Sequence, residues 1–290
     1  MYGDRLEAAV ASALVTYSRM IKLSHSIFAL PFALASGVLA ARSVDTAWWQ
    51  WVLIVLCMVT ARSAAMGFNR IVDRDIDAKN PRTAGREIPS GQIELSSAVW
   101  FTGGSAALFV LFSGLLGTTT LLLSPIALAV VLGYSLVKRY TAWVHGVLGV
   151  ALGIAPVAVW IALTDGLTAT PVLLSIGVAT WVAGFDIIYS CQDADFDSAE
   201  GLHSVPAALG IRGALWVSGL LHVVTIAALV ALPWTVTLGW GYWVGVGLIA
   251  AVLAYEHAIV KPDDLSRVDK AFFDLNGYIS LVFFAAVLAS

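Results

Sequence analysis

The sequence predicts an all-α, polytopic membrane fold with about nine spanning helices. Three observations predict it. Hydrophobic residues make up 59% of the 290 residues and charged residues 12%, with a mean hydropathy of +0.87; this is not the composition of a soluble domain. The apolar residues fall into stretches of about 20, the length that crosses a bilayer core as a helix. Lysine and arginine crowd into every second loop, as they do on one side of a multi-span protein. Cys57 and Cys191 are too few for a disulfide framework or for a metal site of their own, and Cys57, inside an apolar stretch, reads as packing. The net charge of −3 is less informative than where the charges stand.

Residues 1–16 place Leu6, Val10 and Leu14 on one face with charges elsewhere, the pattern of a short interfacial helix. Asp4 and Glu7 precede the first apolar run, which continues long enough to span, so no cleavable leader is expected. Span one covers about 20–41 and contains Pro31, which membrane helices tolerate. Span two, about 47–72, opens on Trp48, Trp49 and Trp51, an interfacial aromatic belt. A polar loop from Ala78 to Glu94 follows. Spans three and four, about 96–116 and 119–137, share a short uncharged link, and Lys138 and Arg139 end span four. Span five is about 142–164 and span six about 170–191. A second polar loop runs from Asp193 to Gly210. Spans seven and eight, about 212–232 and 236–259, precede a third polar loop, Val260 to Lys270, and span nine is about 271–289.

The loops after spans two, four, six and eight carry Arg70, Arg74, Lys79, Arg82, Arg86, Lys138, Arg139, Arg212, Lys261, Arg267 and Lys270, and Arg5, Arg19 and Lys22 share their side. The other side has only Arg42, with Asp45 and Asp165. The positive-inside rule puts the charged side in the cytoplasm.

One stretch at that face carries the chemistry: Asn69-Arg70-Ile71-Val72-Asp73-Arg74-Asp75-Ile76-Asp77. Asn69, Asp73 and Asp77 are four apart, so on a helix they share a face. Carboxylates stacked so closely repel unless a cation lies between them. Hard oxygen ligands at a wet boundary suit Mg²⁺, which takes one or two carboxylates plus substrate phosphates. A second stretch repeats the design: Asp193 and Asp197 are four apart, Tyr189 is four before Asp193, and Asp186 lies two turns before it. Two such clusters ending two apolar spans read as two halves of one metal-diphosphate site. A single Asp-x-x-x-Asp would equally mark a solvated loop start; the repetition favours a site.

The cations have plainer readings too. Lys138 and Arg139 serve either as snorkelling anchors or as ligands for diphosphate oxygens, and Lys22 has the same two readings. Arg74, Arg82 and Arg86 help such a site or simply make a basic loop. Arg62, two turns before Asn69, is a charge inside a span, which normally faces a cavity or a partner. It either pairs with Asp186 at similar depth or anchors an anionic acceptor such as an aryl carboxylate. His25, His145 and His222 read as hydrogen-bonded bundle residues, Glu256 and His257 as interfacial, and Asn276 as interhelical glue.

With these residues in place, the chain resembles the UbiA superfamily of intramembrane prenyltransferases. The carrying motifs are Asn69-Arg70-x-x-Asp73-x-x-x-Asp77, Pro81-Arg82-Thr83 to Arg86-x-x-Pro89-Ser90-Gly91, Tyr134 to Lys138-Arg139, Asp186-x-x-Tyr189-x-x-x-Asp193-x-x-x-Asp197, and Lys22 with Ser24-His25-Ser26-Ile27-Phe28. They span essentially the whole chain, so residues 1–290 are expected to form one membrane-embedded domain. The resemblance is closest to the 4-hydroxybenzoate polyprenyltransferase branch. The stretches Lys22 to Pro31-Phe32, Gly201-Leu202-His203-Ser204-Val205-Pro206 and Tyr255-Glu256-His257 to Asp263-Asp264-Leu265 also look like enzymes that prenylate a dihydroxynaphthoate in menaquinone synthesis. Many 4-hydroxybenzoate enzymes carry Asp-Lys-Pro near the start of helix one; Ser24-His25-Ser26 stands here, which leaves the acceptor open.

The resemblance implies nine helices around a lipid-open cavity, with Mg²⁺ at the two clusters and a polyprenyl diphosphate between them. Asn69, Asp73, Asp77, Asp193 and Asp197 would form the metal-diphosphate core, with Lys22, Lys138, Arg139 and Arg62 binding substrate. Asp186 and Tyr189 would orient an aromatic acceptor or take its proton, with the two roles not separated. The partners are then a polyprenyl diphosphate, an aromatic acceptor and membrane lipid, with no nucleic acid, in the plasma membrane. The alternatives are a cation- or proton-coupled transporter, and a related enzyme making haem O, chlorophyll or an ether lipid.

Overall fold

The computed structural model describes residues 15–21 and 29–290. Lys22, His25 and the interfacial-helix reading of residues 1–14 lie outside that set; residues 15–20 are helical. Eight of the described helices are long and apolar enough to cross a membrane. What is described of span one is the shorter α1, Leu30–Ala40. The count of about nine is therefore eight long helices plus this apolar half-length one among the described residues.

The other elements follow the expected order. α2 is Trp48–Val72 and runs into a short α3, Arg74–Lys79. α4 is Leu95–Leu116, α5 Thr118–Val137, α6 Val144–Thr164 and α7 Ala169–Ser190. A single 3₁₀ turn, Cys191–Asp193, leads to α8, Ala194–Ala199. α9 is Val205–Ala231, α10 Trp240–Ile259 and α11 Asn276–Leu288. The second polar loop is shorter than expected. Ser204 caps α9 by accepting the Ala207 N–H, Pro206 sits in the first turn, and Gly210 at φ 68° kinks the helix where the sequence had placed the loop end.

Tryptophans mark the two water boundaries. Trp48, Trp234 and Trp240 are exposed at one end of the bundle, and Trp100 and Trp143 at the other. The core between them joins α1, α7 and α11. Phe32 stacks on Phe283 at 4.6 Å and lies 5.0 Å from Trp181. All three rings are buried.

Small residues set the closest helix approach. A Cβ added at Gly149 on α6 would overlap the Ala179 carbonyl oxygen on α7; one at Gly153 would come within 2.8 Å of the Ala179 Cβ and 2.9 Å of the Ser175 carbonyl. Such contacts drive helix association in lipid, where no hydrophobic gradient does.

Glu256 is not interfacial as expected; it is fully buried. Asn276 explains it. Its amide donates to Glu256 Oε1 (3.3 Å), its carbonyl accepts the Trp181 indole N–H (2.7 Å), and it also donates to the carbonyls of Ala271 and Phe272. Those carbonyls belong to a π-helical turn, Ala271–Leu275, whose wider spacing leaves acceptors for a side chain. Asn276 is the interhelical glue expected of it, and it fixes the turn that presents Phe272.

Candidate functional site

The polar ends of α2, α5, α7 and α9 meet at one face. Backbone bonding carries the helical register through the α2–α3 junction. The Asp73 N–H reaches the Asn69 carbonyl at 2.9 Å, and the Asp77 N–H reaches the Asp73 carbonyl at 2.8 Å. Asn69, Asp73 and Asp77 thus keep the one-face spacing read from the sequence.

Asp73, Asp77 and Asp193 each have a cation from another part of the chain. Asp73, 1% exposed, receives Lys138 Nζ at 2.8 Å and the Asn69 amide at 2.9 Å. The Arg139 guanidinium lies 3.4 Å from its other oxygen and also donates to the Val72 carbonyl. Asp77, also buried, is held by Arg86 at 2.7 and 2.8 Å. Asp193 is gripped by Arg82 through two nitrogens, one of them Nε at 2.9 Å, and by the Asn80 amide at 3.2 Å. Asp197 lies half-buried within electrostatic reach of Ser204, Lys138 and His145. Lys79 and Glu200, 2.6 Å apart, tie the first polar loop to the second.

Arg82 is the hub of the first loop. Asn80 Oδ1 accepts the Arg82 backbone N–H at 2.9 Å, an Asx-type turn that aims the guanidinium. Its NH1 donates to the Tyr189 hydroxyl at 2.9 Å, and its central carbon lies 5.1 Å from the centre of the Tyr189 ring. Burial works against the Arg82 charge, but the bonds to Asp193 and the nearness of Tyr189 outweigh it and hold the guanidinium above its ordinary value.

Beneath this charged mouth lies an apolar cavity of about 410 Å³. Asn69, Arg62, Tyr134, Asp186 and Tyr189 line its polar end, and residues such as Leu116, Leu123 and Ile161 its deep end. Tyr189 stacks on Phe272 at 4.1 Å, and Phe185 meets Phe272 edge-on at 5.3 Å, so aromatic faces flank the polar end. Cys57, expected to be packing alone, also lines the cavity, with its sulfur 3.8 Å from the Ser113 hydroxyl.

Sequence reasoning left one choice among cations open, missed one residue and offered the wrong partner for another. Arg82 and Arg86 are direct partners of the clusters, whereas Arg74 lies 3.4 Å from the exposed Asp75. Asn80 was not singled out, though an Asn before Pro81 is a turn signal. The structure also corrects the partner offered for Asp186. That partner is His145, Nδ1 to Oδ2 at 2.7 Å; Arg62 lines the same cavity.

The donor chemistry suits Mg²⁺ in its usual form. No three acidic or histidine side chains converge on one point among the described residues, so there is no all-protein cage. Two pairs of carboxylates and an amide face a mouth ringed by phosphate-binding cations, the arrangement that substrate phosphates and water complete.

Residues 29–285 match the family model for the UbiA prenyltransferase family. The chain belongs to the UbiA prenyltransferase family. It is a polyprenyltransferase rather than a transporter, and a multi-pass membrane protein. Among curated proteins it is similar to the 4-hydroxybenzoate octaprenyltransferase of Pseudoalteromonas translucida, 30% identical over 241 residues, 83% of this chain and 82% of that one. The enzyme of the same name from Aliivibrio fischeri is 29% identical over 280 residues, covering 97% of this chain and 96% of its own. Among solved structures, a UbiA homolog from Aeropyrum pernix K1 superposes with a TM-score of 0.83 at 35% identity, over 91% of this chain and 97% of that one. A UbiA homolog from Archaeoglobus fulgidus, bound to DMAPP and Mg²⁺, shares the fold at a TM-score of 0.75 and 19% identity, over 94% and 98% of the two chains.

Proposed function

We propose that this UbiA-family enzyme transfers a polyprenyl group from its diphosphate to an aromatic acceptor of the 4-hydroxybenzoate or dihydroxynaphthoate type, in quinone synthesis, with Mg²⁺, at the cytoplasmic face of the plasma membrane. The observation that carries the reading is the junction of two unlike surfaces. A ring of Asp73, Asp77, Asp193, Lys138, Arg139, Arg82 and Arg86 closes over an apolar cavity. A diphosphate head needs the first surface and an isoprenoid tail the second. The positive-inside distribution supports the cytoplasmic orientation, and the names of the curated relatives support the acceptor class.

In this reading Asn69, Asp73, Asp77, Asp193 and Asp197 hold Mg²⁺, which when bound supplies the charge that neutralises a departing diphosphate. The chain's own cations do the rest of the binding. Lys138, Arg139, Arg82 and Arg86 turn from their carboxylates toward phosphate oxygens, a trade of like interactions that costs little. Lys22 joins them. The cavity walls hold the tail and exclude water, and the faces of Tyr189, Phe185 and Phe272 shelter positive charge at the allylic carbon. Arg62 holds the acceptor carboxylate. Tyr189 orients the acceptor ring and Asp186 takes its proton.

The test is transfer from a labelled polyprenyl diphosphate by purified protein, with 4-hydroxybenzoate and a dihydroxynaphthoate side by side and Asp73→Ala as control. Product with one acceptor, dependent on Mg²⁺ and lost in the variant, is expected. Wild-type rates from folded Asp73→Ala protein refute the site.

A further inference from the structure

We infer that His145 is the positioning residue for Asp186: its Nδ1 proton holds one carboxylate oxygen and leaves the other turned to the cavity, where it receives the acceptor's ring proton. This rests on the prenyl-transfer reading above and names the step at which His145 is felt.

The tautomer is set by the fold. His145 is buried at 4% exposure, and its Nε2 lies 3.3 Å from the Val205 N–H. A backbone amide only donates, so Nε2 carries the lone pair and the proton sits on Nδ1, 2.7 Å from Asp186 Oδ2. Val205 opens α9, and the first amides of a helix have no acceptor within it. His145 supplies that acceptor and takes its orientation in return.

Both ends of the arrangement are clamped. Gly149 and Gly153 lie one and two turns beyond His145 on the same face of α6, and they bring that face against Ala179 and Ala183 of α7. The loop before α9 is tied to α5 by the His203 N–H, which donates to the Lys138 carbonyl at 2.7 Å. Among the described residues His145 is the only hydrogen-bond partner of the Asp186 carboxylate. Asp186 is 21% exposed and lines the cavity. A base oriented by a third group within hydrogen-bond reach is the usual construction of a proton acceptor that must not rotate.

The step balances. An electron pair of the aromatic ring forms the new carbon–carbon bond to the allylic carbon, the C–O bond to diphosphate breaks, and diphosphate leaves with the C–O bonding pair. The attacked ring carbon then gives its proton to the outward Asp186 oxygen, and the C–H pair restores aromaticity.

Two measurements test this. In protein carrying ¹⁵N-histidine, the His145 resonances, identified by their loss in His145→Asn, should show a protonated Nδ1 and an unprotonated Nε2; a protonated Nε2 overturns the assignment without reference to activity. In transfer to ring-deuterated 4-hydroxybenzoate, folded His145→Ala should lose about 10- to 100-fold in kcat with little change in KM, and should acquire a deuterium isotope effect that the wild type lacks. His145→Asn, whose amide N–H overlays Nδ1–H, should recover most of the rate. Wild-type kcat in His145→Ala, or a loss with no isotope effect, overturns the assignment. If the wild type turns over only an acceptor that loses CO₂ from the attacked carbon, prenyl transfer stands and this step falls. If the wild type transfers to no acceptor, both fall.

Discussion

Gly149→Ala puts the geometry of the site to a test remote from any charged group. The added methyl would overlap the Ala179 carbonyl oxygen, lie 3.1 Å from the carbonyl carbon and 3.2 Å from the Ala183 methyl. Backbone on the facing helix has no rotamer with which to yield, so α6 and α7 must part by about 1 Å to restore van der Waals contact. One turn away, the His145–Asp186 bond at 2.7 Å then stretches to roughly 3.7 Å, beyond hydrogen-bonding range. Overpacking of this kind costs about 1–3 kcal/mol. The expected result is a lowered thermal midpoint in detergent, together with a fall in kcat that follows His145→Ala. Gly146→Ala is the matched control. It lies on the same helix, where the nearest neighbour of an added Cβ is Trp143 at 3.7 Å, and alanine favours a helix over glycine by about 1 kcal/mol. Gly149→Ala protein with the thermal midpoint and kcat of the wild type would refute the argument that this close approach builds the site.

Other outcomes follow from the same structure. Arg82→Ala releases both Asp193 and Tyr189; KM for the prenyl diphosphate should rise about tenfold, the worth of one charge-assisted contact, while the thermal midpoint barely moves, because the pair is partly exposed. Asp73→Ala strips the partner from Lys138 and Arg139, and transfer should fall by at least about 100-fold in protein that elutes as the wild type does in size exclusion. Chelation should abolish transfer and added Mg²⁺ should restore it, measured on one protein sample. Asn276→Leu leaves the Trp181 N–H and Glu256 without their bonds and should destabilise by about 2–3 kcal/mol, read as a drop in thermal midpoint.

The sequence by itself determined the spans and the acid clusters, because each of these is a local or compositional property. A bilayer demands about 20 apolar residues per helix whatever the partners, and a spacing of four places Asn69, Asp73 and Asp77 on one face before any tertiary contact forms. Expectations failed where the answer depended on distant neighbours. Glu256 looked interfacial from its place near a helix end, yet Asn276, 20 residues on, buries it. Arg62 looked a fair partner for Asp186 by depth alone, yet depth says nothing of rotation about a helix axis. Only the packed structure chose among the cations. Arg82 reaches Asp193 across 111 residues and His145 reaches Asp186 across 41, and no periodicity encodes either pair. The physical reason is that helices in lipid approach as closely as their smallest facing residues permit. Gly149 and Gly153 against Ala179 set that distance, and with it the hydrogen bond that turns a buried histidine into part of the site.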